Sequence, residues 1–522
     1  MLCGWRQFRR LWWAGLLAVW SLSAFYAGEA QDAGPSIPSP TATPIPQVTP
    51  QFELTGAGSC AAAGCHGGDG TRKKPDGTFN FSSSSYSVWI QRDPHARAYD
   101  VLLTDRSRNM IRQLGTGWHA AHQESRCLVC HSPLEPTVAN VDHTVPVHLT
   151  QREVLHDGVS CEACHGPAEK WLVPHTEHTW RDRMTADSRA ALGFVDLRFD
   201  LVRRSQTCVK CHVGGPGRDV NHDLIAAGHP RLNFELSAYH ANMPAHWDGE
   251  ADRRNFPAQD DARGSIREAK LWVLGQLTTA DAALNLLAVR AQATQESDTA
   301  NGTAAKTAWP EFAEYGCFAC HHDLQSPSWR QQSPVPGRKP GSYPWGTWNF
   351  PLTTVLESSD SPGPLAKALQ QLEQTMGRPS PVVGEVLPQV QFARELIATE
   401  LVKHTTPASL TAERIRQLLE RVTHDGQQLS SRDWDAAAQV YLGTVALYQA
   451  RLEAEGQGLR LQVPEPADQE LLAALETLRE KLKFPQPPEA PSQFTSPRTF
   501  DSQRIEIIHD QLRKLEELVK RP

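Results

Sequence analysis

The chain has 522 residues, 40% apolar and 21% charged. That is the composition of folded domains rather than of a disordered tail or a collagen-like repeat, and the length leaves room for two or three of them. With 52 basic against 59 acidic residues, a formal charge of −7, there is no cationic surplus to neutralise phosphates, so nucleic acid is not an expected partner.

Residues 1–30 carry Arg6, Arg9 and Arg10, then an apolar run from Leu11 to Ala27, then small residues through Ala30. A basic start, an apolar core short for a membrane span and small residues at the end read as a signal peptide cleaved near Ala30, which sends the mature chain to the periplasm. An uncleaved leader would instead associate it with the inner membrane. The Arg9-Arg10 pair falls short of a twin-arginine signal. Residues 31–52 hold Pro35, Pro38, Pro40, Pro44, Pro46 and Pro50 among Ser, Thr and Gln, a linker that cannot bury a core.

Apart from Cys3, the cysteines fall in five close pairs, each followed directly by histidine. The first is Cys60-x4-Cys65-His66. The others are Cys127/Cys130/His131, Cys161/Cys164/His165, Cys208/Cys211/His212 and Cys317/Cys320/His321, each Cys-x-x-Cys-His in full. That spacing suits covalent haem c: two thiols add to the two vinyl groups, and the adjacent imidazole is held under the iron as proximal ligand. Zinc sites, redox dithiols and disulfides also use paired cysteines, but none needs a histidine after each pair. In the first motif Ala61-Ala62-Ala63-Gly64 are small enough to fold aside, with a disulfide as the alternative there. Five haems are therefore expected, the one at Cys60/Cys65 resting on a wider spacing than the rest.

Each iron with histidine on one side needs a sixth ligand. Of 21 histidines, five lie in the motifs and thirteen more between residues 60 and 322, where the methionines are Met110, Met184 and Met243. Most irons should be bis-histidine, with lower potentials than Met/His ligation gives. His95 follows Asp93 and Pro94, an N-cap and first residue for a helix running to about Gln113. His119 and His122 stand three apart on one helical face, and His122 is the candidate of the two. His175 follows the third motif after a short return loop. His229 sits between Gly228 and Pro230, where the backbone can approach a flat ring closely. His222 is preferred over His240, His246 and His322 for the remaining place. So little chain separates the motifs that the porphyrins should serve as much of the core and lie close enough to exchange electrons.

Between the fourth and fifth motifs, Ser265 to about Ala293 reads as an amphipathic helix, with Leu271, Leu274, Leu277, Leu284 and Leu287 at three- and four-residue steps or their multiples. Residues 326–350, with Trp329, Trp345 and Trp348, read as an ordered arm whose aromatics pack. From 351 onward there is no cysteine, and four to six helices are expected. Ile415, Leu418, Leu419 and Val422 share one face, and Ile505, Ile508, Leu512, Leu515 and Leu518 share another, a candidate seam for docking a partner. The expected fold is mainly α: a loop-rich multihaem cytochrome c region at 53–350, then a C-terminal helical region at 351–522.

The segments Gly158-Val159-Ser160-Cys161-Glu162-Ala163-Cys164-His165-Gly166-Pro167, Asp93-Pro94-His95-Ala96-Arg97-Ala98-Tyr99 and Asp223-Leu224-Ile225-Ala226-Ala227-Gly228-His229-Pro230-Arg231-Leu232 resemble the multihaem cytochromes of the cytochrome c-552/4 family over roughly residues 55–350. The resemblance implies a mostly helical protein wrapped around closely spaced c-type haems, commonly bis-histidine, acting in periplasmic electron transfer. It also implies that His95 is a distal ligand. The wide first motif and the long step from Cys208 to Cys317 depart from evenly spaced relatives, so no haem order is carried over.

The expected activity is electron transfer between a redox donor and an acceptor protein, with no catalytic residue assigned. Two alternatives stay open: an oxidoreductase with one open haem acting on a small nitrogen or sulfur compound, and a haem-bearing scaffold whose C-terminal helices organise a larger complex.

Overall fold

The computed structural model describes residues 52–71, 73, 80–115, 117–135, 153–247, 266–299, 308–317, 343–357, 362–406, 409–430, 434–454, 466–483 and 502–520. The leader, residues 31–51 of the linker, Cys320, His321, His322 and Trp329 lie outside them. The described chain is mainly helical with no strand. No described helix is long and apolar enough to cross a membrane. The described residues form two compact units, one of 52–219 with 243–247 and the other of 220–242 with 266–520.

The first unit holds four of the cysteine motifs, and its helices are short: α1 (Ser85–Arg92), α2 (Asp105–Leu114), α3 (Ser125–His131), α4 (Cys161–His165), α5 (Thr179–Asp182), α6 (Ala186–Ala191) and α7 (Leu201–His212). Its apolar side chains gather in small separate clusters, Tyr99 with Leu102 and Leu128, Ala57 with Trp89 and Ala96, and Trp171 with Trp180. Residues this rich in glycine, proline and polar side chains leave little for one continuous core.

The single helix expected from Pro94 to Gln113 is broken. Pro94–Arg97 and Asp100–Leu103 are separate 3-10 turns, and Thr104 is extended, with ψ 162°. Its hydroxyl accepts from the Ser107 backbone N–H at 3.4 Å and so opens α2 afresh. A threonine that caps the next helix cannot also continue the preceding one.

The second unit contains α8 (His222–Ala226), α9 (Leu236–Asn242), α10 (Arg267–Thr299), α11 (Pro364–Met376), α12 (Val383–Thr405), α13 (Ala412–Ser430), α14 (Trp434–Ala454), α15 (Pro466–Leu482) and α16 (Ser502–Val519). The six after residue 351 match the top of the expected range. They share one continuous core that includes Trp272, Leu284, Leu352, Leu418, Tyr441 and Leu512. α10 packs against α9, α12 and α14, so α10 joins the helices that follow it. Its five leucines are buried as the spacing predicts, but Lys270, Gln276 and Thr278 are buried too. The helix is enclosed on several sides rather than amphipathic, and its polar groups find partners: Gln276 donates to Gln439 at 3.2 Å, and the Thr278 hydroxyl to the Leu274 carbonyl at 2.8 Å. Ile415, Leu418, Leu419 and Val422 all face the core, as do Ile508, Leu512, Leu515 and Leu518. The stripe on α16 is used within its own unit, against α13 and α15. Trp345 and Trp348 are buried and bonded, to Glu314 at 2.8 Å and to the Phe234 carbonyl at 2.9 Å, which is packing.

Candidate haem ligation site

Three motifs occupy the last turns of helices, ending α3, α4 and α7. Cysteines three apart there stand on one face, with the histidine completing the turn. Different devices bound these helices. The buried Glu124 carboxylate opens α3, accepting from the Arg126 backbone at 3.3 Å and from its guanidinium at 2.7 Å. Asp200 opens α7 by accepting from Arg203 N–H at 2.8 Å. α4 is stopped by Gly166 at φ +80°, where a Cβ would fall 2.1 Å from the Gly193 carbonyl oxygen, so only glycine fits. In the first motif, Cys60 ends a 3-10 turn at Ala57–Cys60. The longer insert folds aside as a tight turn, with Cys65 and Gly67 N–H both donating to the Ala62 carbonyl, at 2.8 and 3.0 Å.

The described cysteines are free thiols. Cys60 lies in hydrogen-bond contact with Cys161, and Cys130 with Cys211, so the first motif meets the third and the second meets the fourth. Sharing a proton in this way draws Cys60 and Cys211 down to about 7 and pushes Cys161 and Cys130 up. Burial lifts Cys127, Cys164 and Cys208 to about 12. Cys317 is exposed at the end of its described segment in the other unit.

The imidazoles share a pattern. His66 Nδ1 meets the Ser82 carbonyl at 2.6 Å, His131 Nδ1 the Ala98 carbonyl at 2.8 Å and His165 Nδ1 the Val195 carbonyl at 3.3 Å. His175 Nδ1 bonds the Leu172 carbonyl, and His229 Nδ1 the Pro230 carbonyl at 2.8 Å. A carbonyl can only accept, so Nδ1 carries the proton, which in the neutral ring leaves the Nε2 lone pair for a metal. His95 Nδ1 bonds a carboxylate instead, Asp93 Oδ1, at 2.9 Å. Burial holds His212 down to about 3 and His165 to about 4, which favours the neutral ring.

Two pairs of imidazole rings lie close together. The His66 and His175 centroids are 6.3 Å apart with planes 12° from parallel, and those of His95 and His212 are 6.0 Å apart at 81°. Two imidazoles on opposite sides of one metal ion, each nitrogen about 2 Å from it and about 1.2 Å from its own ring centre, would set the centroids roughly 6.4 Å apart. Thiol pairs on one helical turn, imidazoles anchored through Nδ1 and ring pairs at this spacing together fit haem c.

The other candidates are placed differently. His222 donates its backbone N–H to Glu311 at 2.8 Å and sets its ring 6.0 Å from Phe312, beside the segment that carries Cys317. His229 lies in the same unit. His122 stands in a half-buried turn rather than on a helical face, because the chain folds back there: Gln123 and Glu124 N–H both donate to the Ala120 carbonyl, and the Glu124 carboxylate accepts from His119 N–H. Sequence reasoning passed over His246. It lies in the first unit, its buried Nδ1 has no hydrogen-bond partner of normal geometry, and its charge acts on His165. No spacing rule connects it to a motif some eighty positions earlier, so only folding reveals it.

Residues 61–166 match the family described as cytochrome c554 and c-prime. No curated protein and no solved structure gives a match. The matched stretch runs from Ala61 through the third motif and includes His66, His95, His131 and His165. The match covers about a fifth of the chain and supports a c-type cytochrome of electron transfer that uses haem c.

Proposed function

We propose that this chain is a periplasmic carrier that moves electrons between a donor and an acceptor protein through five covalently bound, mostly bis-histidine haems. The observation that carries the reading is the spacing within two imidazole pairs, His66 with His175 and His95 with His212, which suits one shared metal ion in each. Bound haem c supplies one-electron chemistry at iron. The cysteines of the five motifs fix it, and His66, His131, His165, His212 and His321 stand as proximal ligands. His175 and His95 serve as distal ligands to the first and fourth. His246 is suited to the third by the action of its charge on His165, and His222 to the fifth by its anchorage at Glu311. The contacts of Cys60 with Cys161 and of Cys130 with Cys211 support closely spaced cofactors, first beside third and second beside fourth. The basic, apolar leader at residues 1–30 supports export.

Low-temperature EPR and magnetic circular dichroism of the oxidised protein test the reading by counting low-spin and high-spin irons. Five low-spin irons are expected. A high-spin iron that binds small ligands would instead support an oxidoreductase with one open haem.

A further inference from the structure

Asp93 is the one carboxylate among the Nδ1 partners described above for the haem-region histidines. Its Oδ1 accepts from both the backbone N–H of His95, at 3.0 Å, and the ring Nδ1, at 2.9 Å. The residue is 1% exposed, and its Oδ2 is buried with no hydrogen-bond partner. Leaving a carboxylate oxygen unsatisfied in the interior is unfavourable unless positive charge stands close by. The Nδ1–H of an imidazole bonded to an oxidised metal supplies such charge, and less of it once the metal is reduced.

We propose that Asp93 is a positioning and tuning residue that holds the iron shared by His95 and His212 at the lowest potential in its unit. This deepens the electron-transfer reading and rests on its assignment of His95 as a ligand. A carboxylate hydrogen bond gives the ring imidazolate character, and a more basic ligand favours the oxidised metal. The carbonyls that meet Nδ1 of His66, His131, His165 and His175 polarise those rings less. The centre with Asp93 therefore accepts its electron last as the potential falls and gives it up first.

The test compares the full-length holoprotein with Asp93→Asn, which keeps an N-capping oxygen but removes the charge, by optical redox titration together with EPR. The expected result is an unchanged haem content and low-spin count. The lowest-potential transition alone should move upward by a factor of ten or more in its oxidised-to-reduced ratio, about 59 mV for one electron. Unmoved transitions, or a shift in any other transition, overturn the proposal. Asp93→Ser retains the cap through its hydroxyl and serves if Asp93→Asn does not load haem; failure of both to load haem assigns Asp93 a folding role and also overturns it. His95→Ala separates the two levels of the argument. If it creates no high-spin iron, the ligand assignment has failed; if it does and Asp93→Asn moves nothing, only the tuning has.

Discussion

The rings of His66 and His175 lie 6.3 Å apart, centroid to centroid, with their planes 12° from parallel. His66 is held from behind by the Ser82 carbonyl and His175 by the Leu172 carbonyl, and Trp171 and Trp180 meet the His175 ring edge to face at 5.4 and 6.4 Å. On the proposed ligation, replacing His175 with alanine removes the second ligand and leaves the two thiols untouched. The expected outcome is a full haem content with one low-spin iron converted to high spin, read by EPR. His175→Met should keep that iron low-spin and raise its potential, since Met/His ligation lies above bis-histidine.

Glu162 lies between the two cysteines of the third motif, yet its carboxylate faces away from them, into the chain. It accepts from the backbone N–H groups of Thr55 at 2.9 Å, Gly56 at 2.8 Å and Ala168 at 2.7 Å, joining the start of the unit to α4. Glu162→Ala strands these donors at about 1–3 kcal/mol each where they are buried. Thermal unfolding should show a loss of at least about 2 kcal/mol, with Glu162→Gln intermediate because its amide oxygen still accepts.

Two glycines at positive φ separate backbone strain from steric placement. Gly158 has φ +64°, and a Cβ there would lie 2.6 Å from the His95 carbonyl oxygen, which accepts from Val159 N–H at 3.0 Å. Gly115 has φ +80° with open space around it. Gly115→Ala should cost about 1–2 kcal/mol of backbone strain and leave the spectra unchanged. Gly158→Ala should also displace His95 and produce a high-spin signal. Equal spectra from the two variants would show that His95 does not depend on this contact.

Asp196 gives a pH-dependent readout next to the third motif. Burial pushes its pKa up, but the guanidinium of Arg198, at 2.7 and 3.0 Å, and the charge of Arg189 pull it below the usual carboxylate range. A lowered folded pKa contributes stability that is present above the unfolded value of about 3.9 and lost as pH falls through the folded value. Asp196→Asn should therefore be the less stable protein at pH 6, by under about 1 kcal/mol for this partly exposed pair. In acid titrations followed by unfolding the difference should vanish below the folded pKa; a difference that persists at low pH contradicts the assignment.

The motif geometry was legible because it is local. A thiol pair and a histidine within five residues form one helical turn, and the structure places three of the motifs on such turns. The Asp93-Pro94-His95 cap was legible for the same reason. The ring partners of His66 and His212 lie far from them in sequence, so their spacing is a product of the fold; His175 and His95 stood out only through neighbouring residues. His246 had no such local mark. The apolar faces of α13 and α16 followed from helical period, whereas the full enclosure of α10 did not, since period reports one face and not how many neighbours a helix has. The turn at His122 was missed because the Glu124 cap acts over five residues and overrides the pattern read across them.

The central claim is that thioether bonds fasten haem to this chain, and intact-mass spectrometry of the purified, denatured protein beside its pyridine haemochrome spectrum tests it most directly. A mass equal to the mature polypeptide plus five haems, with the matching chromophore, is the result expected. A mass equal to the bare polypeptide, with no red colour travelling with it, contradicts the account.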